Sequence, residues 1–143
     1  MLKRLFVVML AALAVACSDR LSVRVDTAGT VFDRAATIGS TVPVAVVSYI
    51  ARNTGDKVAF LPACGQNPVA TIERLNGGTW EQWSGGACLA IMPMSPIEMH
   101  AGNRVWGSGS IAEAGRFRLR LSYADNARLS GERFAFSEPF DVR

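Results

Sequence analysis

From Leu21 onward the apolar side chains recur every second position, and nowhere after Cys17 at the three-to-four spacing of an amphipathic helix. A period of two sorts side chains onto opposite faces of a pleated sheet, so it commits the chain to strands. Leu21-Ser22-Val23-Arg24-Val25 alternates cleanly. Val42 to Ala51 is nearly all apolar, as in a strand buried on both faces or central in a sandwich. Lys57 to Leu61, Val69 to Leu75, Thr79 to Trp83, Ile97 to His100, Arg104 to Trp106, Phe117 to Tyr123 and Phe134 to Val142 read as further strands. Turns separate them at Asn53-Thr54-Gly55-Asp56, Asn76-Gly77-Gly78 and Ala101-Gly102-Asn103. Asn76-Gly77 is the strong signal for a type I′ hairpin. No crossover helix is available for a parallel sheet, so the expected fold is all-β and antiparallel. Seven to nine strands predict an immunoglobulin-like sandwich, with a small closed barrel as the alternative.

The first seventeen residues have a different grammar. Lys3 and Arg4 precede an apolar run from Leu5 to Ala16, which Cys17 ends. This is the layout of a helical signal peptide, too short for the ~20 apolar residues that span a bilayer. Leu13-Ala14-Val15-Ala16-Cys17 resembles the bacterial lipobox, with Ala14 where that motif usually has Leu. The resemblance implies cleavage before Cys17, diacylglycerol on its thiol and acylation of the new amine. Ser18, rather than Asp, follows the cysteine, which by the same resemblance implies outer-membrane delivery in a diderm cell. The organisation read from the chain is a signal peptide at 1–16, a lipid-anchored tether at 17–20 and one domain at 21–143. Three or four tether residues reach only ~10–14 Å, so the domain is expected close to the membrane.

Cleavage changes the charge. Without Lys3 and Arg4 the 15 basic residues fall to 13, against 12 acidic ones, a balance of +1. That balance gives no footprint for nucleic acid. Of three cysteines, Cys17 takes lipid and leaves Cys64 and Cys88. In an oxidising compartment two such thiols pair, and CxxC spacing for a metal or redox pair is absent. The bridge would close a loop of 25 residues, counted from Cys64 to Cys88, worth ~3.5 kcal/mol by chain entropy. Both cysteines are expected in loops.

Three segments carry a further resemblance: Asn53-Thr54-Gly55 after an apolar strand, the hairpin Arg74-Leu75-Asn76-Gly77-Gly78-Thr79-Trp80, and Ala101-Gly102. Together with the ending Gly115-Arg116-Phe117-Arg118-Leu119 and Ser137-Glu138-Pro139-Phe140-Asp141-Val142, residues 42–143 resemble bacterial immunoglobulin-like domains, the BsuPI-type proteinase inhibitor domain in particular. The resemblance implies proteinase inhibition but maps no inhibitory residue onto this chain. The lipobox and the expected bridge depart from that family.

Residues suited to chemistry are sparse. His100 is the one histidine, which leaves a Ser-His-Asp arrangement without support, and a surface or half-buried His100 is expected. Glu73, Glu81, Glu98 and Glu113 are scattered and fit solvated strand faces. Gly107-Ser108-Gly109-Ser110 opens no helix and reads as a flexible or edge segment. Met92, Met94, Met99 and His100 together offer thioether and imidazole ligands for Cu(I), against the alternative that methionines fill core gaps. Arg116, Arg118 and Arg120 share one strand face, either as a solvated face or for contact with acidic headgroups or a partner's phosphates. Trp80 and Trp83, three residues apart, fall on opposite faces, so one enters the core and the other, with Trp106, can anchor a partner or a sugar. The function expected is a non-catalytic, lipid-anchored envelope interaction module without a cofactor. It would contact the membrane through lipid and an envelope protein or glycan through its surface. The alternatives are a proteinase inhibitor and a periplasmic Cu(I)-binding accessory protein.

Overall fold

The computed structural model describes residues 19–39, 41–85 and 94–143. The expected signal peptide, Cys17, Cys88 and Met92 lie outside the described residues. Everything described is strand, turn or loop, and two main sheets face each other as a sandwich.

The first sheet has three strands: β1 (Val23–Thr27), β3 (Ala45–Asn53) and β10 (Arg104–Ile111), in the order β1-β3-β10. The second runs β2 (Val31–Phe32), β13 (Phe140–Val142), β11 (Gly115–Tyr123), β7 (Thr71–Asn76) and β8 (Thr79–Ser84), with β12 (Arg133–Phe136) also paired to β11. Two short pairs complete the fold: β4 (Ala59–Leu61) with β9 (Ile97–Met99), and β5 (Ala63–Cys64) with β6 (Asn67–Pro68). Among the described residues there are thirteen strand segments, more than the seven to nine expected. Three are only two residues long, and β12 and β13 split the expected final strand at Pro139, which cannot donate to a ladder. All pairings are antiparallel except β13 with β2, which joins segments from opposite ends of the domain.

The inner faces close one core. Val23 and Val25 from β1, and Ala45, Val47, Tyr49 and Ala51 from β3, oppose Phe117, Leu119 and Leu121 from β11. Phe117 stacks on Phe140 at 6.3 Å, and Trp83 meets Phe117 edge-on at 5.7 Å. Strand β3 is central in its sheet but buried on one face only, since Val46 is half exposed. Tyr49 donates from its hydroxyl to the Pro68 carbonyl at 3.0 Å, and burial pushes its pKa up to about 12. The Gly107–Ser110 segment is regular strand within the edge strand β10. A Cβ at Gly107 would strike the Tyr49 ring, so the residue's missing side chain is what admits the buried phenol.

The β7–β8 hairpin forms, but with its turn one residue later than Asn76-Gly77 suggests. Asn76 pairs with Thr79, and Gly77 and Gly78 take φ of 55° and 86° at the two central positions. A type I′ turn needs positive φ at both, and two glycines meet that need at less steric cost than Asn-Gly.

One end of the sandwich is fastened to the start of the domain. Buried Asn53 donates to the carbonyls of Lys57 at 2.7 Å and Met99 at 2.8 Å, and accepts from the Gly55 amide at 2.9 Å. The turn so shaped receives residues 19–22. The Arg20 amide donates to Asp56, the Arg20 carbonyl accepts from the Asp56 amide at 2.9 Å, and the Arg20 guanidinium donates to the Thr54 carbonyl at 2.8 Å. Asp19 pairs with Lys57 at 3.1 Å. A Cβ on Gly55 would collide with the Arg20 backbone, so only glycine lets this segment lie down. The expected tether at 17–20 is therefore docked, not loose, over its last two residues.

Candidate interaction face

The outer face of the second sheet carries the three arginines of β11. Register places Arg118 opposite Glu73, and Arg120 opposite Phe136, with Ser122 opposite Phe134. Glu73 is 5% exposed, unusual for a carboxylate on an outer face. Its oxygens take Arg118 at 2.7 Å and Arg120 at 3.2 Å, so one buried acid holds two guanidiniums. Arg118 lies between two rings, with its guanidinium carbon 4.6 Å from the Trp80 centroid and 4.2 Å from that of Phe136. Arg120 sits 5.2 Å from the Phe134 centroid. Phe134 and Phe136 remain 46% exposed.

The result is a ladder of alternating cations and rings locked by Glu73. A guanidinium suits this place because it is planar, keeps its charge and stacks on aromatic faces while bonding a carboxylate. Arg116 stands apart, paired with Asp141 at 3.2 Å. Each of the three thus has an acidic partner. Strand β11 ends next to Ala124, which bonds Phe60 near the docked N-terminal segment, so Arg116 is at the far end of the sandwich. The three cannot all approach a membrane at the docked end.

The tryptophans behave as their spacing predicts. Trp80 joins the outer ladder, while Trp83 turns inward to Phe117. Alternation from Trp80 through Gln82 carries Trp83 inward, and the register shift at Ile72/Glu73 leaves it as the extra residue of a bulge. Trp106 lies on the other sheet and is 62% exposed. The two phenylalanines were missed from sequence. Phe134-Ala135-Phe136 shows the alternation, but an inward Phe row with Ala135 outward fits that pattern equally well. Ala135 is the buried member.

Of the copper set, Met94, Met99 and His100 are described. Met99 is fully buried in the core, whereas His100 is exposed and 3.3 Å from Glu98. Met94 is 58% exposed beside the bridge between Cys64 and itself in the backbone ladder. Among the described residues no group of three His, Cys, Asp or Glu side chains is placed to hold a metal. Cys64 ends the two-residue strand β5, not a loop as expected.

Surface clefts lined by described residues measure about 200 to 290 Å³. Pockets that engulf small ligands run to roughly 300–1,000 Å³. One cleft of about 250 Å³ abuts the ladder, between Arg120, Ser122, Glu132 and Phe134. The geometry offers a surface of stacked arginines and aromatic rings with a notch beside it.

No known protein family matches the chain, and no curated protein does. Among solved structures, a Northeast Structural Genomics Consortium target called SoR45 is 13% identical, with 86% of this chain and 84% of that one covered at a TM-score of 0.39. A β-glucosidase from Listeria innocua, solved with gluconolactone, is 8% identical at a TM-score of 0.34. That match covers 85% of this chain but only 16% of the glucosidase. Likenesses this loose carry no argument about what the chain does.

Proposed function

We propose that this protein is a lipid-anchored cell-envelope module that acts by binding a partner and not by catalysis. The observation that carries the reading is the Trp80–Arg118–Phe136 stack with Arg120 and Phe134, held by buried Glu73. Interfaces draw their energy from aromatic and arginine anchors set in rigid surroundings. Here Phe134 and Phe136 are exposed and Trp80 is half-buried, the guanidiniums are already oriented, and little side-chain entropy is left to lose on binding. An envelope protein or glycan with a flat polar-aromatic surface fits such a face. In this reading Cys17 carries the lipid, and Cys64 bridges to Cys88.

Two measurements test this. Cys17→Ser is expected to abolish palmitate incorporation and leave unprocessed precursor; normal labelling of that variant would overturn the anchor. For the face, the mature domain is used to capture partners from its own envelope fraction. Phe134→Ser/Phe136→Ser is expected to lose the captured species while retaining the native circular dichroism spectrum. Unchanged capture by that variant would remove the ladder from the binding site.

A further inference from the structure

We infer that the outer face of the first sheet, at its docked end, is a contact surface for acidic phospholipid headgroups. This rests on the anchor reading above for its location, but not for its charge.

Antiparallel register sets Arg24 of β1 opposite Arg52 of β3, and Arg52 opposite Arg104 of β10. Three arginines thus lie side by side across the whole sheet, and all three are exposed. Directly opposed like charges destabilise a sheet. Arg24 is relieved by Asp26 at 2.8 Å. Among the described residues, neither Arg52 nor Arg104 meets a carboxylate. The row retains two uncompensated positive charges, in contrast to the Glu73-locked ladder on the opposite sheet.

The next row on the same face is Asp26, Ile50 and Trp106. Its indole is 62% exposed, one residue pair away from the cations. Arginine beside exposed tryptophan is the make-up of a surface that lies in the headgroup layer, where cations meet phosphates and indoles take the interface.

Location completes the argument. Arg52 immediately precedes Asn53, whose turn clamps residues 19–22, and Arg104 follows the Gly102-Asn103 turn bonded to that same asparagine. With Arg20 fixed on the turn, a lipid on Cys17 is at most three residues away, ~10 Å when fully extended. That is comparable to the ~8 Å screening length at physiological salt, so the row would feel the lipid charge. The anchor then serves as a pivot, and the arginine row decides which side of the domain settles on the bilayer.

The test uses the lipid-free domain, residues 18–143, which contains the entire described core. It is mixed with vesicles of phosphatidylcholine alone or with phosphatidylglycerol added, at low and high salt, and sedimented. Binding is expected only with phosphatidylglycerol and is expected to fall as salt rises. Each arginine at an acidic surface contributes enough that Arg52→Gln/Arg104→Gln should weaken partition roughly ten- to thirtyfold. Arg143, whose amide donates to the Phe32 carbonyl and which follows Val142 opposite Gly115, lies with Arg116 at the far end, and Arg116→Gln/Arg143→Gln should change partition less than about twofold by the same reasoning. Equal losses in both double variants would reduce the effect to net charge and overturn the proposal, as would salt-independent binding or equal binding to neutral vesicles. Palmitate labelling of the full chain is scored separately. Vesicle binding without labelling would remove the anchor and leave the face, and labelling without charge-dependent binding would do the reverse.

Discussion

Each outer face of the sandwich presents three arginines, and the two sets have opposite fates. On the second sheet Arg116, Arg118 and Arg120 follow one another along a single strand, and every one has an acid. On the first, Arg24, Arg52 and Arg104 come from three strands and share only Asp26. In the first set Arg116 pairs with Asp141, and the other two, Arg118 and Arg120, are integrated into the fold through a buried carboxylate and three aromatic rings. The second is merely tolerated by it. Charges that a fold has neutralised speak for rigidity, and charges that it leaves facing each other call for something outside the protein to neutralise them.

The sharpest way to break this comparison is at Glu73. Its side chain is 7% exposed, and its removal would leave Arg118 and Arg120 facing each other without their shared acid. Glu73→Ala is expected to cost about 3 kcal/mol, toward the low end for a buried pair because the guanidiniums keep some solvent. A urea midpoint reads the loss. Glu73→Gln should cost nearly as much, because it keeps the shape and drops the charge. A loss below about 1 kcal/mol would mean that the ladder is a surface decoration.

The interior beneath the two faces also differs, and pH separates them. Phe117 under the ladder cannot titrate, whereas Tyr49 on the inner face of the first sheet, three residues along β3 from Arg52, can. Burial raises Tyr49 to about 12, so the folded state holds its proton more tightly than the unfolded chain, where the value is about 10. Its contribution is therefore whole below pH 10 and drains away as pH climbs from 10 to 12, by about 3 kcal/mol in all. Tyr49→Phe should flatten that alkaline loss while costing about 1 kcal/mol at neutral pH through the lost bond to Pro68. An unchanged alkaline slope in the variant would place the titrating group elsewhere.

Alternation along the chain made one of the arginine sets legible and hid the other. Arg116, Arg118 and Arg120 stand at every second position, so their shared face follows from strand geometry alone. Arg24, Arg52 and Arg104 are far apart in sequence, and only pairing register brings them into line. Register in turn depends on turn positions, and the hairpin at Gly77-Gly78 shows how a turn can slip by one residue from its apparent signal. The sandwich itself could be read because each inner row is apolar over several strands. Glu73 could not, since an acid among Ile72, Arg74 and Leu75 looks like any solvated strand residue until Arg118 and Arg120 cover it. The docking of Arg20 was hidden for the same reason: its partners Asp56 and Thr54 are 36 and 34 residues away, in a turn whose Gly55 looks like ordinary turn chemistry.

Within the ladder, stacking and charge can be separated at Arg118. Lysine keeps the charge near Glu73 but loses the planar group that fits between Trp80 and Phe136. Arg118→Lys is expected to cost about 1 kcal/mol, the scale of one cation–π contact together with one bonded nitrogen. Recovery of full stability by lysine would assign the stack no energetic role. Recovery of partner capture as well would remove the stacked geometry from the binding surface.

The smallest expected effect is the most diagnostic, because it has the opposite sign. Arg52 is the middle member of the row, flanked on both sides by arginines and without a carboxylate among the described residues. Replacing it with glutamine removes two unfavourable cross-strand neighbours and no attractive one. Arg52→Gln should raise the urea midpoint at low salt, by an amount of about 0.5 kcal/mol. Screening of the parent's repulsion should erase the gain as salt is added. The matching change at Arg118 must go the other way at every salt concentration, since its partner is a buried acid. If Arg52→Gln were destabilising, the row would have a structural role within the domain, and the need for an external anion at this face would disappear. If it stabilises the isolated domain yet weakens its hold on acidic vesicles, then the arginine opposes folding and favours docking. A residue kept at the expense of stability is the signature of a surface built for contact, and the two faces would then differ in purpose as well as in pairing.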